Sequence, residues 1–183
     1  MLSGDRVRLR AREQADVAVL HSELYEDVAG RSQADTRAWR PIPIGPGSPF
    51  AVREPSDQTA EFSVVELATG ELAGEALLWN IDLHNRVGHL GISLRPVFRG
   101  RGLGTDVVRV LTRYGFAIRG LHRLQIETLA DNQAMLAAAN AVGYRQEGLL
   151  RASAWVNGAF GDEVILGLLA EDWRDSAPIA AGQ

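Results

Sequence analysis

The chain has 183 residues, the length of one domain with a sizeable core, and its 46% hydrophobic and 23% charged residues are typical of a soluble globular protein. All 19 basic residues are arginine, and there is no cysteine. Without lysine the chain cannot form a Schiff base, anchor pyridoxal phosphate or build a P-loop, and without cysteine it has no thiol nucleophile, disulfide or cysteine-ligated metal.

Charge and hydropathy narrow the expected partners. The net charge of −4 does not favour nucleic acid. No apolar run reaches membrane-spanning length, and the charged N-terminus does not resemble a signal peptide, so we expect no membrane partner and a cytoplasmic location. The absence of lysine has a simple explanation in a genome that prefers arginine codons.

The first third of the chain predicts a strand, helices and a long loop. Residues 6–10 alternate polar and apolar side chains, which predicts a short strand. A helical pattern follows over residues 17–24, and residues 30–39 are ambiguous but compatible with a second short helix. Five of the seven prolines lie between positions 41 and 55, which predicts a long loop. Loops of this length are usually functional or disordered.

The middle of the chain predicts a three-stranded meander. Residues 61–68 and 72–83 have strand-like sequences on either side of Thr69-Gly70-Glu71, which is a hairpin signal. Residues 87–94 form the third predicted strand, and Pro96 ends it because proline cannot donate to a sheet ladder.

The last part of the chain alternates helices and strands. Residues 102–119 and 132–142 have helical periodicity, and residues 121–129 between them predict a strand. Residues 144–156 and 160–169 predict two long strands joined by an Asn-Gly dipeptide, which is a strong hairpin signal.

This order predicts a single α/β domain over residues 1–175, with a mixed, mostly antiparallel sheet of about seven strands and flanking helices. The helix at 102–119 joins the strands at 87–94 and 121–129, so those two strands should be parallel. Residues 176–183 are small and polar and are predicted to be a frayed tail.

The most informative segment is the turn Arg99-Gly100-Arg101-Gly102-Leu103-Gly104, between a predicted strand and a predicted helix. Glycines allow a ligand to approach the backbone closely. The start of a helix presents unpaired N–H groups and the positive end of the helix dipole, and two arginines add positive charge. The segment should therefore hold a pyrophosphate.

Four interpretations compete for this turn. A dinucleotide fold requires G-x-G-x-x-G at the opening of a βαβ unit, whereas these glycines are two apart and follow a meander. A P-loop is excluded because there is no lysine, and an ordinary glycine turn would need no ligand. The fourth is an acyl-CoA site, because the segment resembles the R/Q-x-x-G-x-G/A element of the GCN5-related N-acetyltransferase (GNAT) superfamily.

The resemblance to this superfamily covers nearly the whole chain. It is greatest for the branch that contains the ribosomal-protein N-terminal acetyltransferases. Asn132 followed by residues 143–151 resembles that branch's "N…GF..EG.LR" run, and Asn157-Gly158 followed by Asp162 resembles its "NG…D" hairpin. The resemblance implies a GNAT fold with a central splayed parallel pair of strands. It also implies homodimerisation, which is common in this branch.

The resemblance assigns a binding role to each part of the predicted CoA site. In this superfamily, backbone N–H groups of the strand before the turn hold the pantetheine and polarise the thioester carbonyl, and those of the turn bind the pyrophosphate. An asparagine contacts the pantetheine arm, although here it is equally an N-cap of its helix. The implied CoA-binding residues are Ile92, Ser93, Leu94, Arg99, Gly100, Arg101, Gly102, Leu103, Gly104, Thr105 and Asn132.

The resemblance offers His89 as the candidate general base. Many branch members have a glutamate on this strand, and His89 takes its place. Imidazole has an unperturbed pKa near 6.5 and can accept a proton near neutral pH. The alternative is a strand histidine that points away from the site.

The same resemblance assigns no general acid to this chain. The usual tyrosine is replaced by Ala139, the serine of the ribosomal branch by Met135, and a glutamate proposed in some members by Ala154. Solvent could serve instead, because a thiol has a pKa near 8.5 and its thiolate is a tolerable leaving group. These departures weaken the case for a ribosomal protein as acceptor.

The candidate acceptor residues are Trp39, beside the proline-rich loop, and Asp162, beside Glu163 in the last hairpin. Trp39 could equally be a core anchor, and Asp162 could simply cap the hairpin. The other tryptophans are predicted to serve mainly in packing. The histidines have no metal-ligand spacing, so no metal is predicted.

These features imply an enzyme that transfers acetyl from acetyl-CoA directly to a primary amine through a ternary complex. The acceptor could be a protein N-terminus, a small amine or an aminoglycoside-like antibiotic. Two alternatives stay open: transfer of a larger acyl group such as succinyl, and a non-catalytic acyl-CoA-binding or sensing module, which Met135 and Ala139 favour.

Overall fold

The computed structural model describes residues 1–35 and 37–173, so the predicted tail at 176–183 lies outside the described residues. Within them, eight strands form one sheet in the order β1-β2-β3-β4-β5-β6-β8-β7. The strands are β1 (Leu2–Ser3), β2 (Val7–Ala11), β3 (Ala60–Glu66), β4 (Leu72–Asp82), β5 (Val87–Leu94), β6 (Arg123–Leu129), β7 (Arg145–Val156) and β8 (Ala159–Leu169). The α-helices are α1 (Gln14–Leu20), α2 (Val28–Ala34), α3 (Leu103–Arg113) and α4 (Gln133–Val142).

The predicted order of elements and the predicted sheet class are confirmed. Every neighbouring pair of strands is antiparallel except β5 and β6, which are parallel as expected. The eighth strand is the two-residue β1, which is too short to produce a sequence pattern. Between Ala34 and Ala60 the described residues form no helix or strand, in agreement with the predicted loop.

The predicted helix at 102–119 differs from the structure in its second half. Gly102 has a left-handed φ of 77° and precedes α3, which ends at Arg113 and continues as a π-helical turn over Tyr114–Ile118. A π-turn adds a residue to the turn and rotates the following side chains around the helix axis. Ile118, at the end of this turn, therefore does not face the core and is 54% exposed.

The sheet separates two hydrophobic cores. The larger core lies under α3 and α4 and contains Leu78 of β4 and Leu90 of β5. The smaller core lies on the opposite face and joins Leu20, Leu24 and Phe50, so it holds α1 and the proline-rich loop on the sheet. The helices α3 and α4 thus cover one face of the central strands, whereas α1 and the loop cover the other face only in part, so functional groups can reach the surface there.

The parallel pair separates soon after it begins. β5 and β6 are in register at Val87–Arg123, Gly88–Leu124 and His89–Gln125, and their pairing ends there. From that point β5 follows β4 as far as Leu94, while β6 follows β8 as far as Leu129. A gap therefore opens between the carboxyl ends of the two central strands, and the expected splay is confirmed.

The start of α3 is fixed to the edge of the sheet by Asp106. This side chain is 3% exposed, and its Oδ2 accepts hydrogen bonds from the backbone N–H groups of Arg6 (2.8 Å) and Val7 (3.0 Å). Its Oδ1 accepts a further bond from Arg109 at 3.0 Å. Asp106 thus joins the first turn of α3 to the start of β2.

We predict that Asp106→Ala lowers the free energy of unfolding by about 2–4 kcal/mol, because it leaves backbone N–H groups without an acceptor, at about 1–3 kcal/mol each. Equilibrium urea denaturation measures the loss. Asp5→Ala is the matched control, since Asp5 also lies near Arg109, at 3.5 Å, but its side chain is 85% exposed. Surface pairs contribute about 0–1 kcal/mol. Equal losses in the two variants would contradict the anchoring role.

Candidate functional site

A large cleft opens at the gap between β5 and β6 and continues across the sheet face that carries α1 and α2. Its volume is about 2200 Å³. Pockets for one small ligand usually have a volume of about 300–1,000 Å³, so this cleft has room for two substrates side by side. Eleven of the predicted site residues line it: Ile92, Ser93, Leu94, Arg99, Gly100, Gly102, Leu103, Gly104, Thr105, Asn132 and Trp39.

One end of the cleft is formed by the glycine-rich turn and the N-terminus of α3. Gly100 and Gly102 have φ values of 73° and 77°, which are strained for other residues. The backbone of the turn therefore favours glycine at both positions. α3 has 11 residues, and its first N–H groups and positive dipole end face the cleft beside Gly104 and Thr105. This end is suited to an anion.

The two arginines of the turn are placed differently. Arg99 lines the cleft and donates from Nε to the carbonyl of Leu94 at 2.9 Å. Arg101 lies outside the lining, and its guanidinium pairs with Glu66 of β3 at 3.3 Å. The side chain of Arg101 therefore stabilises the fold of the turn, whereas Arg99 is placed to meet a ligand.

Asn132 stands where β6 ends and α4 begins. Its Oδ1 accepts the N–H of Met135 at 3.1 Å, so the N-cap interpretation is confirmed. Its Nδ2 donates to the Thr128 hydroxyl at 2.9 Å, and both residues line the cleft. Met135 also lines the cleft, while Ala139 is fully buried beneath it.

His89 lies at the last paired position of β5, beside rather than within the lining of the cleft. Its ring contacts that of Trp79, with centroids 4.6 Å apart, and Nε2 is 3.4 Å from Nδ2 of Asn80. Nδ1 is 3.3 Å from Oε1 of Glu127, but the contact lacks hydrogen-bond geometry, and Nδ1 is buried without a hydrogen-bond partner. The contact is therefore electrostatic.

Glu127 is a functional candidate that the sequence patterns did not single out. It follows Gln125, the partner of His89, by two residues on β6, and so lies on the same face just beyond the last parallel pair. It lines the cleft, and its Oε1 accepts a hydrogen bond from Gln125 at 2.8 Å. The sequence feature that could have pointed to Glu127 is its position as a polar residue near the carboxyl end of a parallel strand, where α/β sheets bind ligands.

The predicted acceptor residues separate in the structure. Trp39 lines the cleft, and its Nε1 donates to the carbonyl of Tyr25 at 3.0 Å, so it also anchors the loop. Asp162 lies outside the lining, and its Oδ1 accepts the N–H of Ala152 at 2.8 Å. That bond fixes an irregular point of β7 and favours the structural alternative for Asp162.

The prediction that the remaining tryptophans serve in packing holds for Trp173, whose ring lies 5.5 Å from that of Phe116. It is wrong for Trp79 and Trp155, which are 38% and 59% exposed. Trp79 borders the cleft, and Trp155 lies near the tip of the last hairpin beside Phe160. The strand pattern alone does not reveal that the sheet is uncovered at these places.

Within residues 1–35 and 37–173, no group of three or more His, Asp or Glu side chains is arranged to hold a metal ion. No helix in this range is long and apolar enough to cross a membrane.

Comparison with known proteins defines the family. The sequence model described as "Acetyltransferase (GNAT) domain" matches residues 6–145. The chain therefore belongs to the GNAT acetyltransferase family, and the resemblance seen in the sequence is confirmed.

Two curated relatives are N-acetyltransferases by name. The "Putative ribosomal N-acetyltransferase YdaF" of Bacillus subtilis (strain 168) is 32% identical over 120 residues, which are 64% of this chain and 66% of the relative. Spermidine N(1)-acetyltransferase of Escherichia coli (strain K12) is 28% identical over 108 residues, 59% of this chain and 58% of the relative. The chain thus spans less than two thirds of the length of these two proteins.

Solved structures agree on the fold. A crystal structure described as a probable acetyltransferase has a TM-score of 0.78 at 24% identity, covering 92% of this chain and 96% of the other. Spermidine N-acetyltransferase from Vibrio cholerae, in complex with CoA and spermine, has a TM-score of 0.74 at 19% identity, covering 92% and 98%.

The surroundings of His89 predict its titration. Burial lowers the pKa of His89 below its usual value of 6.5, and the Glu127 carboxylate opposes this shift because it favours the charged imidazolium. We predict an NMR titration midpoint below pH 6.5, with the resonance assigned by its loss in His89→Gln. In Glu127→Gln the midpoint falls further.

Glu163→Gln is the control for this titration, because Glu163 lines the same cleft but is not among the charges that act on His89. Its midpoint should equal that of the unchanged protein. A midpoint in Glu127→Gln at or above the starting value would show that Glu127 does not act on His89.

Proposed function

We propose that this protein transfers an acetyl group from acetyl-CoA directly to a primary amine. The observation that carries the proposal is the gap between β5 and β6, which leads to the N-terminus of α3 at the glycine-rich turn. This arrangement suits a donor with an extended arm and an anionic pyrophosphate. The absence of cysteine excludes a cysteine acyl-enzyme and supports direct transfer.

The residues present fit the donor at three points. The start of α3 offers backbone N–H groups to the pyrophosphate, and Gly102, on the cleft wall, has the left-handed φ of 77° that leads into this helix start. The open edge of β5 at Ile92, Ser93 and Leu94 offers backbone N–H groups to the pantetheine and the thioester carbonyl. Asn132 lies across the gap from them on the cleft wall.

The proton acceptor is assigned to the pair of His89 and Glu127. An acceptor ammonium in the cleft meets the Glu127 carboxylate, and the neutral imidazole beside it takes up the proton. The amine nitrogen then forms a bond to the acetyl carbon, its second proton passes to solvent, and the carbon–sulfur bond breaks. The CoA thiolate leaves and is protonated by solvent, since Met135 and Ala139 supply no proton.

The acceptor class is supported by the relatives. The Escherichia coli and Vibrio cholerae relatives are named as spermidine acetyltransferases, and the Bacillus relative as a ribosomal one. We propose a small-molecule amine or a peptide N-terminus as acceptor. A cytoplasmic location and a homodimer complete the proposal, the first resting on the absence of cysteine and the second on the family resemblance.

A non-catalytic acyl-CoA sensor is the second candidate, because Met135 places a thioether in the cleft where the ribosomal branch has a hydroxyl. A thiol-release assay with a panel of amines separates the two functions. Tight binding of CoA with no release of its thiol on any amine would favour the sensor. Succinyl-CoA tested in parallel decides whether a larger acyl group is accepted.

We predict that Gly102→Val abolishes CoA binding, because a branched side chain crowds the pyrophosphate site and is strained at a φ of 77°. Isothermal titration calorimetry with CoA measures the affinity. Gly70→Val is the matched control, since Gly70 has a φ of 75° in a hairpin outside the cleft. Unchanged affinity in Gly102→Val would overturn the assignment of the site.

We predict that His89→Ala lowers kcat about 100-fold near neutral pH, the usual contribution of a general base, and leaves the affinity for CoA unchanged. Glu127→Gln should have a similar effect, and the double variant should lose little more, because residues that act as a unit are not additive. His84→Ala, in an exposed turn, is the control. Wild-type turnover in His89→Ala across the pH range would remove the histidine from the mechanism.

A further inference from the structure

The acceptor half of the cleft is walled by aromatic and aliphatic side chains. Tyr25 and Trp39 form one wall, with ring centroids 6.0 Å apart and planes inclined by 32°. Leu77 and Trp79 form the sheet face of this half of the cleft. These residues come from the helical turn after α1, the loop and β4, so the fold brings together apolar groups that are distant in sequence.

We call the space between the Tyr25–Trp39 wall and the Leu77–Trp79 face the slot. Gly91 keeps the sheet side of this slot open. It pairs with Leu77 in the β4–β5 register, and a Cβ at Gly91 would lie 3.1 Å from the Leu77 side chain and 3.9 Å from Nε1 of Trp79. The glycine therefore lets both side chains lie close over β5. The slot leads along the sheet from Trp39 towards Trp79, where His89 and Glu127 stand.

The deeper carboxylates of this half are already paired with arginine. Glu75 accepts a hydrogen bond from Arg12 at 2.8 Å, and Glu61 lies 3.5 Å from the same guanidinium. Asp35 is paired with Arg31 and also with Arg37. A second ammonium group that approached any of these three carboxylates would have to displace an arginine.

Guanidinium groups also occupy two aromatic faces that could attract a cation, those of Tyr25 and Phe50. Arg31 lies over the rings of Tyr25, at 5.7 Å, and Phe50, at 5.9 Å, and Arg12 lies 5.7 Å from the Phe50 ring. Both arginines line the cleft. An ammonium near this wall would meet like charges, whereas an apolar group would meet carbon surface.

The gap end of the slot is different. Glu127 lines the cleft, and its carboxylate contacts His89 and Gln125 rather than an arginine. It can therefore receive one ammonium group. Over the whole lining, seven arginines stand against eight carboxylates, so the cleft is not an acidic funnel for a polycation. Glu127 therefore offers a cationic position at the gap end of the slot, beside its apolar walls.

We propose that the acceptor is a monoamine whose primary amino group is carried by an apolar, aromatic body, and that polyamines are poor acceptors. The proposal rests on the function proposed above and names the acceptor class of that site. The amino group lies at Glu127, and the aromatic body lies between the Trp39 wall and the Leu77–Trp79 face.

The test compares kcat/KM for 2-phenylethylamine, ethylamine and spermidine with acetyl-CoA as donor. We expect kcat/KM for 2-phenylethylamine to exceed that for spermidine by about tenfold or more, and Trp39→Ala to lower it by about tenfold, which corresponds to about 1.4 kcal/mol. The value for ethylamine, which does not fill the slot, should change less than about twofold, and this separates loss of contact from damage to the fold. Trp155→Ala, an exposed tryptophan outside the cleft, is the control and should change neither value.

The outcomes distinguish this proposal from the one on which it rests. Efficient use of spermidine, at or above the value for 2-phenylethylamine, overturns the acceptor class and leaves acetyl transfer standing. An equal loss for both monoamines in Trp39→Ala also overturns it. Calorimetric binding of 2-phenylethylamine to the protein–CoA complex, weakened by Trp39→Ala but without turnover, supports the slot and contradicts transfer. Neither binding nor turnover with any amine overturns both.

Discussion

The end of hydrogen-bond pairing between β5 and β6 after His89 and Gln125 is the constraint on which the site depends. A parallel pair that continued to Leu94 would close the cleft and occupy the backbone groups of β5 that face it. Because the pair stops after three residues of each strand, the open edge of β5 leads directly to the start of α3. The same break places Glu127 just beyond the last pair, where its carboxylate reaches both His89 and the cleft.

The gap stays open because each diverging strand is held from its other side. β5 is bonded to β4 from His89 to Leu94, and β6 is bonded to β8 from Arg123 to Leu129. The helix start that faces the gap is fixed by Asp106 to β2, two strands beyond β4. On the opposite face, Arg10 and Ser63 bind the buried Asp16 of α1, which holds α1 on the sheet. Rigid elements therefore hold the site from both sides.

The parts of the fold that depend on local chemistry could be predicted from the sequence. Proline clustering placed the loop, the Asn-Gly pair placed the last hairpin, and the glycines of the turn placed the helix start, because each reflects a backbone requirement within a few residues. The π-turn at Tyr114–Ile118 could not be predicted, because a helical turn with an extra residue is built from the same residue types as an ordinary α-helical turn. Glu127 was missed, Trp79 was misassigned to packing, and the pairing of the Arg101 side chain with Glu66 was not foreseen, because these features depend on which strand lies alongside and where pairing ends.

The absence of lysine has a chemical consequence at this site. A cleft that brings an amine to a thioester would also expose any lysine on its walls to acylation. Arginine carries the positive charge here without that liability, because a guanidinium is not deprotonated under these conditions and is not a competing nucleophile. Its planar group also binds a carboxylate and covers an aromatic ring at once, as Arg12 does with Glu75 and Phe50. Whatever the origin of this composition, the result is a cleft whose walls are charged but contain no lysine.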